Sequence, residues 1–224
     1  QSTRCISSQR GKMKALIDSK KVDKYPYMTL GQVKKEYDAK HLPAPTKIFS
    51  TVDKPDPGFL KAMANPKSPM RKAMQAGRDT HHALETGVIK NDLVKYAMDE
   101  FSKNILPRID EVWGMESGVY HPDGYVGKFD AVGVIEGKTA LWDYKKVNRR
   151  KTKSQMKKYF MQSIAYVDAH DWMFDTNLEQ ISILQIYGKT KEEMGSEIVT
   201  LDADDINEAR NSFRDYLRRY NEII

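Results

Sequence analysis

The sequence predicts an α/β protein: a central mixed β-sheet flanked by helices, with a helical N-terminal extension. Three observations predict it. First, strand-like runs at 112–120, 125–135 and 139–145 follow one another across tight turns, with HPDG and Glu136-Gly137 as the turn signals. Second, a helical pattern at 152–170 leads to the apolar run QISILQIY at 180–187, which reads as an inner strand. Third, helical patterns at 71–87 and 91–106 precede the meander, and another at 203–221 closes the chain. A meander followed by one helical crossover gives a mixed sheet, and the helices then cover both of its faces.

The extension is assigned to residues 1–70, as an arm or small helical subdomain, and the core to residues 71–224. The first segment is punctuated by Pro26, Pro43, Pro45, Pro55, Pro57 and Pro66, with short helical patterns such as Leu30 to Tyr37 between them. In the 91–106 helix, Leu93, Tyr96, Ala97, Phe101 and Ile105 form one apolar stripe, and Pro107 should end or kink it. Ile206, Ala209, Phe213 and Leu217 give the closing helix a similar face.

Bulk properties narrow the class. The chain has 224 residues, enough for an ordinary core, with 37 basic and 31 acidic side chains and a net charge of +6. That excess is mild, so its location matters more than its size. The single cysteine, Cys5, excludes a disulfide framework and a four-cysteine zinc or iron–sulfur site. A reducing intracellular compartment is the expectation, and no apolar run approaches the ~18 residues of a membrane span. A start at Gln1 without methionine is expected of a trimmed or processed chain, and a targeting segment would then be lost from view.

Four groups of residues could carry chemistry. In GKFDAVGVIEGKTALWDYKK, residues 127–146, strand alternation sends Asp143 and Lys145 to one face and Trp142 and Tyr144 to the other. Asp130, one hairpin back, can be brought beside Asp143. Two carboxylates suit a hard cation such as Mg²⁺ or Mn²⁺, although Asp-x-Lys on a strand is also a common surface pair. A lysine there can orient water or balance charge on a phosphate; to act as a base its pKa would have to fall from about 10.4. In GRDTHHALE, residues 77–85, His81 and Glu85 share a helix face with Gly77 one turn earlier, where another backbone could approach closely. Glu85 reads as a helix-face ion-pair partner. Gln162 and Tyr166, four apart, also face one way: a phosphate- or base-contacting pair, or one polar and one core residue. Finally, Lys145 to Lys158 holds eight lysines or arginines and no acid. Such a run is a solvated face or, following that strand, a phosphate track. Glu116, on the first strand, reads as a surface residue or a helper for a second metal.

Taken in order, these elements resemble the RecB-type nucleases of the PD-(D/E)xK superfamily. That family has a Gly-x-x-x-His helix, an Asp strand, an Asp/Glu-x-Lys strand and a Gln-x-x-x-Tyr helix. Here they read GRDTH (Gly77 to His81), KFD (Asp130), DYK (Asp143 to Lys145) and QSIAY (Gln162 to Tyr166). The resemblance spans roughly residues 70–190 and is greatest to compact exonucleases of the mitochondrial genome maintenance and phage type. PTKIFS (Pro45 to Ser50) looks like a diverged form of a segment that opens such domains.

The resemblance implies a restriction-endonuclease-like core and a Mg²⁺- or Mn²⁺-dependent DNA exonuclease. The implied substrate is single-stranded DNA or a free DNA end, in replication, recombination or repair. It implies His81, Asp130, Asp143 and the Tyr144 backbone carbonyl as metal ligands, with Asp130, Asp143 and Lys145 as the catalytic set. Gln162, Tyr166, Lys146, Arg149, Arg150 and Lys151 are then expected to contact DNA. Lys146 stands where the family often has Thr or Ser, so altered DNA contacts are expected there. Helicase motifs are missing, so a helicase or single-strand-binding partner is implied; a bacterial or phage-infected cytoplasm fits better than an organelle matrix. A structure- or sequence-specific endonuclease and a non-catalytic DNA-binding module of the same fold are the alternatives.

Overall fold

The computed structural model describes Ala15 and residues 17–224; Cys5 and the first residues of the expected arm lie outside them. Five strands form one mixed sheet in chain order: β1 (Ile109–His121), β2 (Tyr125–Ile135), β3 (Lys138–Val147), β4 (Gln180–Tyr187) and β5 (Gly195–Thr200). The first three are antiparallel, β3 and β4 are parallel, and β5 returns antiparallel. The helices among the described residues are α1 (Leu30–Glu36), α2 (Pro45–Val52), α3 (Pro57–Ala64), α4 (Pro69–Thr86), α5 (Asp92–Glu100), α6 (Lys157–Phe174) and α7 (Ala203–Ile223). The α/β class, the mixed sheet and the helical N-terminal region are as the sequence predicts. β5 is not foreseen; its residues are all partly exposed, so they lack the two-faced alternation that marks a strand.

Local chemistry sets the element ends. The β2–β3 hairpin closes through Glu136 and Gly137, both with positive φ (51° and 77°), the geometry of a two-residue hairpin turn. Arg108 grips Glu136 through two hydrogen bonds of 2.7 and 3.0 Å. Ser68 caps α4 by accepting from the Arg71 N–H, Pro69 sits in its first turn, and Gly87 ends it in the left-handed conformation. The expected 91–106 helix is α-helical only to Glu100. It then widens into a π turn (Phe101–Ile105) and a 3-10 turn (Leu106–Arg108), which absorb Pro107.

Alternation along the strands builds two cores, one on each sheet face. Leu141, Ile181 and Ile183 face Phe160, Ile164 and Val167 of α6 and Phe213 and Leu217 of α7, with Ile48 and Phe49 of α2 beside them. Trp142, Tyr144, Leu184 and Ile186 face Ala83 and Leu84 of α4, Val94, Ala97 and Met98 of α5, and Phe101. Burying a side chain the size of Ile164 or Leu141 stabilises the fold by roughly 2 kcal/mol.

The β1 edge is covered by the chain that precedes α1. Val22 N–H donates to the Val112 carbonyl and Val112 N–H to the Lys20 carbonyl. Further along, Gly118 N–H donates to Met28, and Tyr27 bonds the fully buried His170 through its hydroxyl at 2.9 Å. An open strand edge is thereby occupied within the same chain.

One glycine fixes how α6 sits on the sheet. A Cβ at Gly127 would lie 2.5 Å from Cε1 of Tyr166, whose ring is buried in the core against β2. Gly127→Ala should therefore cost about 1–3 kcal/mol by displacing a buried ring. Urea denaturation checks this, and an unchanged midpoint would contradict the packing described.

Candidate metal centre

The site forms where two strands part. The β2–β3 ladder ends at the pair Ala131↔Trp142, while β3 stays paired with β4 out to Val147↔Tyr187. Asp130 and Asp143 are the next residues beyond that last pair, so they lie at the opening of a fork. In the fork the Tyr144 N–H has lost its strand partner and donates to Asp130 Oδ2 at 2.8 Å. The Tyr144 carbonyl accepts from His81 Nε2 at 2.6 Å. The backbone of a single β3 residue thus holds both the acid of β2 and the imidazole of α4.

The β1–β2 register adds a third acid. Glu116 lies between the pairs Met115↔Ala131 and Ser117↔Phe129, which sets it opposite Asp130. Its φ of 49° is left-handed, a costly conformation for glutamate that departs from an ordinary strand. His81 Nδ1 lies 3.6 Å from Asp130 Oδ2 and 3.9 Å from Glu116 Oε1. One ligand atom from each of His81, Glu116 and Asp130 falls within 4.8 Å of the others, close enough to hold a metal ion. Glu116 also pairs with Lys128. The surface reading of Glu116 is therefore corrected: it belongs to the centre. The signal was its place opposite Asp130, which only the strand register reveals.

Asp143 and Lys145 project together, as alternation requires. Lys145 Nζ stands 2.5 Å from Asp143 Oδ2. That approach lacks hydrogen-bond geometry, and the buried Oδ2 has no hydrogen-bond partner. Asp143 is outside the three-residue ligand cluster, unlike the expected ligand set; its buried Oδ2 has the Lys145 ammonium as its ion-pair partner and is the kind of oxygen that a cation would also attract. Carboxylates with one imidazole fit a hard or borderline divalent ion.

The electrostatics follow from burial and proximity. Burial, reinforced by the Asp143 charge, pushes the Asp130 carboxyl up to about 7. Burial alone would depress Lys145, but Asp143 and Asp130 outweigh it and hold the ammonium above its usual range. His81 is likewise opposed by burial and raised by Glu116 and Asp130. Burial would lift Glu116, yet His81 and Lys128 keep it low.

The remaining expected residues divide. Tyr166 is buried, and burial pushes its phenol up to about 12. Its hydroxyl accepts from Gln162 Nε2 at 3.2 Å. A base cannot stack on that ring, so the base-contacting expectation is corrected for Tyr166: it is the core residue of the pair, and only the polar edge is left. Lys146 turns away, its Nζ donating to the Gly188 and Val147 carbonyls at 2.6 and 3.1 Å, so it is not presented to DNA. Arg150 is exposed but held by both oxygens of Glu197, at 2.8 and 2.6 Å, which neutralises it. Arg149 is exposed, and together with Lys151, Gln155 and Lys189 it lines an open basic hollow at the end of β3. Gly77 does meet a backbone, but a Cβ there would be 3.8 Å from the Lys146 carbonyl oxygen, so glycine is not demanded. Glu85 is exposed, in keeping with a helix-face role.

No family model matches the chain, and no curated protein does. Among solved structures it is similar to a crystal structure from Eubacterium rectale described as a "Putative exonuclease". The two share 14% identity over 88% of this chain and 82% of that one, with a TM-score of 0.44. At that score the likeness bears no functional weight. No helix among the described residues is long and apolar enough to cross a membrane.

The raised Asp130 pKa has a consequence for stability. A carboxyl whose folded pKa exceeds the unfolded value of about 3.9 destabilises the fold as pH rises through that interval, and the cost is complete above the folded value near 7. In EDTA, Asp130→Asn should be nearly neutral at about pH 4 and stabilising by a few kcal/mol above pH 7. Urea unfolding across this range reads the effect; a pH-independent difference would contradict it.

Proposed function

We propose that the protein is a divalent-metal-dependent nuclease that hydrolyses phosphodiester bonds in DNA. The observation that carries this reading is the fork at Tyr144, which gathers Asp130, Glu116 and His81 within ligating distance of one another beside a charged lysine. Such a set has no evident structural use: buried like charges raise one another's energy and are tolerated where a cation offsets them. The motif order that resembles the RecB-type PD-(D/E)xK nucleases supports the same reading. From that resemblance come the finer elements: exonuclease action, a preference for single-stranded ends, and a role in replication, recombination or repair.

Asp130, His81 and Glu116 would hold the ion, with Asp143 and the Tyr144 carbonyl completing the ligand set that the resemblance implies. When bound, Mg²⁺ or Mn²⁺ polarises a phosphoryl oxygen and lowers the pKa of its water. Lys145 remains an ammonium at neutral pH because its carboxylate neighbours raise it. Its role is therefore to orient water and to offset negative charge on the phosphoryl oxygens, and a base role is disfavoured. Arg149 and Lys151 lie where β3 hands over to α6 and supply positive charge along the path a strand would take.

The assay uses end-labelled single strands, duplexes and covalently closed circles with Mg²⁺, Mn²⁺ or EDTA. Metal-dependent release of nucleotides from ends, with circles untouched, is the expected result. Cut circles would replace the exonuclease reading with an endonuclease one. Absence of metal-dependent cutting on every substrate would overturn the enzyme reading. Lys145→Ala should lower kcat by about 10²–10³ while DNA affinity changes little; near-wild-type turnover would remove Lys145 from the mechanism.

A further inference from the structure

Tyr159 lies in the first turn of α6 and is joined to two lysines from different parts of the chain. Lys151 Nζ donates to the Tyr159 hydroxyl at 2.7 Å and lies 4.5 Å from the ring centre. Lys145 Nζ lies 5.0 Å from the same ring. Two ammonium groups thus lie close to one phenol. Lys145 has Asp143, whereas no ion pair to Lys151 occurs among the described residues.

Lys151 is also held rigidly. Gln185 of β4 is fully buried and clamps its backbone from both sides. Its Oε1 accepts from the Lys151 N–H, and its Nε2 donates to the Lys151 carbonyl, each at 3.0 Å. The same amide donates to Glu197, the acid that takes up Arg150. Glu197 is therefore spent on Arg150, and Lys151 keeps a fixed backbone with its Nζ turned to Tyr159. A buried side chain spent on fixing a loop lysine is the arrangement expected of a preorganised anion contact.

From this arrangement we infer that Lys151 and Tyr159 form a phosphate seat next to the reacting one, holding the adjacent, uncleaved phosphate of the strand. The seat rests on the nuclease reading and deepens it. Lys151 supplies charge-assisted donors, and the Tyr159 hydroxyl, already accepting from Lys151, has its own proton to give. Lys145 and Lys151 both reach the Tyr159 ring, at 5.0 and 4.5 Å from its centre, so neighbouring phosphates of one strand can reach both. Tyr159, Gln162 and Tyr166 share one face of α6 by their three- and four-residue spacing.

The test compares wild type with Tyr159→Phe, Lys151→Met and Lys151→Arg. Binding of a short single-stranded oligonucleotide is measured in Ca²⁺ at several salt concentrations, and KM and kcat are measured with Mg²⁺ or Mn²⁺. Circular dichroism melts confirm that each variant is folded, and Tyr159→Phe keeps the packed ring. Tyr159→Phe should weaken binding by about fivefold, the loss of one hydrogen bond. Lys151→Met should weaken it further and reduce the salt slope by about 0.7, one phosphate contact, with the loss in KM more than in kcat. Lys151→Arg should recover most of the affinity. A strand with one neutral methylphosphonate beside the cleaved bond should bind wild type as weakly as Lys151→Met binds the natural strand, with no further loss in the variants.

Variants that bind the natural strand like wild type, or losses that add fully to that of the neutral linkage, would overturn the seat alone. So would a kcat loss with unchanged affinity, which would make Tyr159 a positioning residue for Lys145. If wild type neither binds nor cuts DNA, the nuclease reading falls and the seat with it.

Discussion

The candidate centre is organised around one backbone unit, Tyr144, at the point where β2 leaves β3, which holds two of its side chains. A strand that loses its neighbour exposes an N–H and a carbonyl that must find partners. Here Asp130 takes the N–H and His81 meets the carbonyl. The fork therefore converts a backbone requirement into the placement of two side chains from distant parts of the chain. Extending the β2–β3 ladder by two pairs would set Phe129 opposite Tyr144, satisfy its backbone and remove the bonds that hold Asp130 and His81 there.

The surrounding fold keeps that fork open. α4 reaches the site because Ala83 and Leu84 anchor it against Trp142 and Tyr144, which places His81 beside the carbonyl. α6 is seated by Tyr166 on Gly127, which brings Tyr159 and Gln162 towards Lys145. The acids then oppose one another in the absence of a cation. Asp130 answers with a raised pKa, and Lys145 with an ammonium made harder to deprotonate. The fold stores an electrostatic cost at this place, and a bound divalent ion would relieve it.

Much of this was legible in the sequence, because it rests on short-range rules. Alternation along DYK gives the shared face of Asp143 and Lys145, and Glu136-Gly137 gives the hairpin that returns Asp130 to their side. The i, i+4 spacing gives the Gln162–Tyr166 contact. What could not be read depends on register or on tertiary partners. Glu116 joins the centre through its position opposite Asp130 and a left-handed backbone. Lys146 and Arg150 look like DNA ligands in a basic run, but the Gly188 carbonyl and Glu197, both distant in sequence, claim them. β5 has no alternating pattern of its own and exists as a strand through its pairing with β4. A charge run read along the chain overcounts the free cations, since pairing partners are not local.

Crystals soaked in Mn²⁺, with data collected to reveal its anomalous scattering, show whether the fork at Tyr144 seats a divalent ion. A peak is expected in contact with Asp130 and His81, beside Glu116 and the Asp143 carboxylate. A map with no peak there at saturating Mn²⁺, or with peaks only at exposed acids such as Asp202 and Asp205, would contradict it.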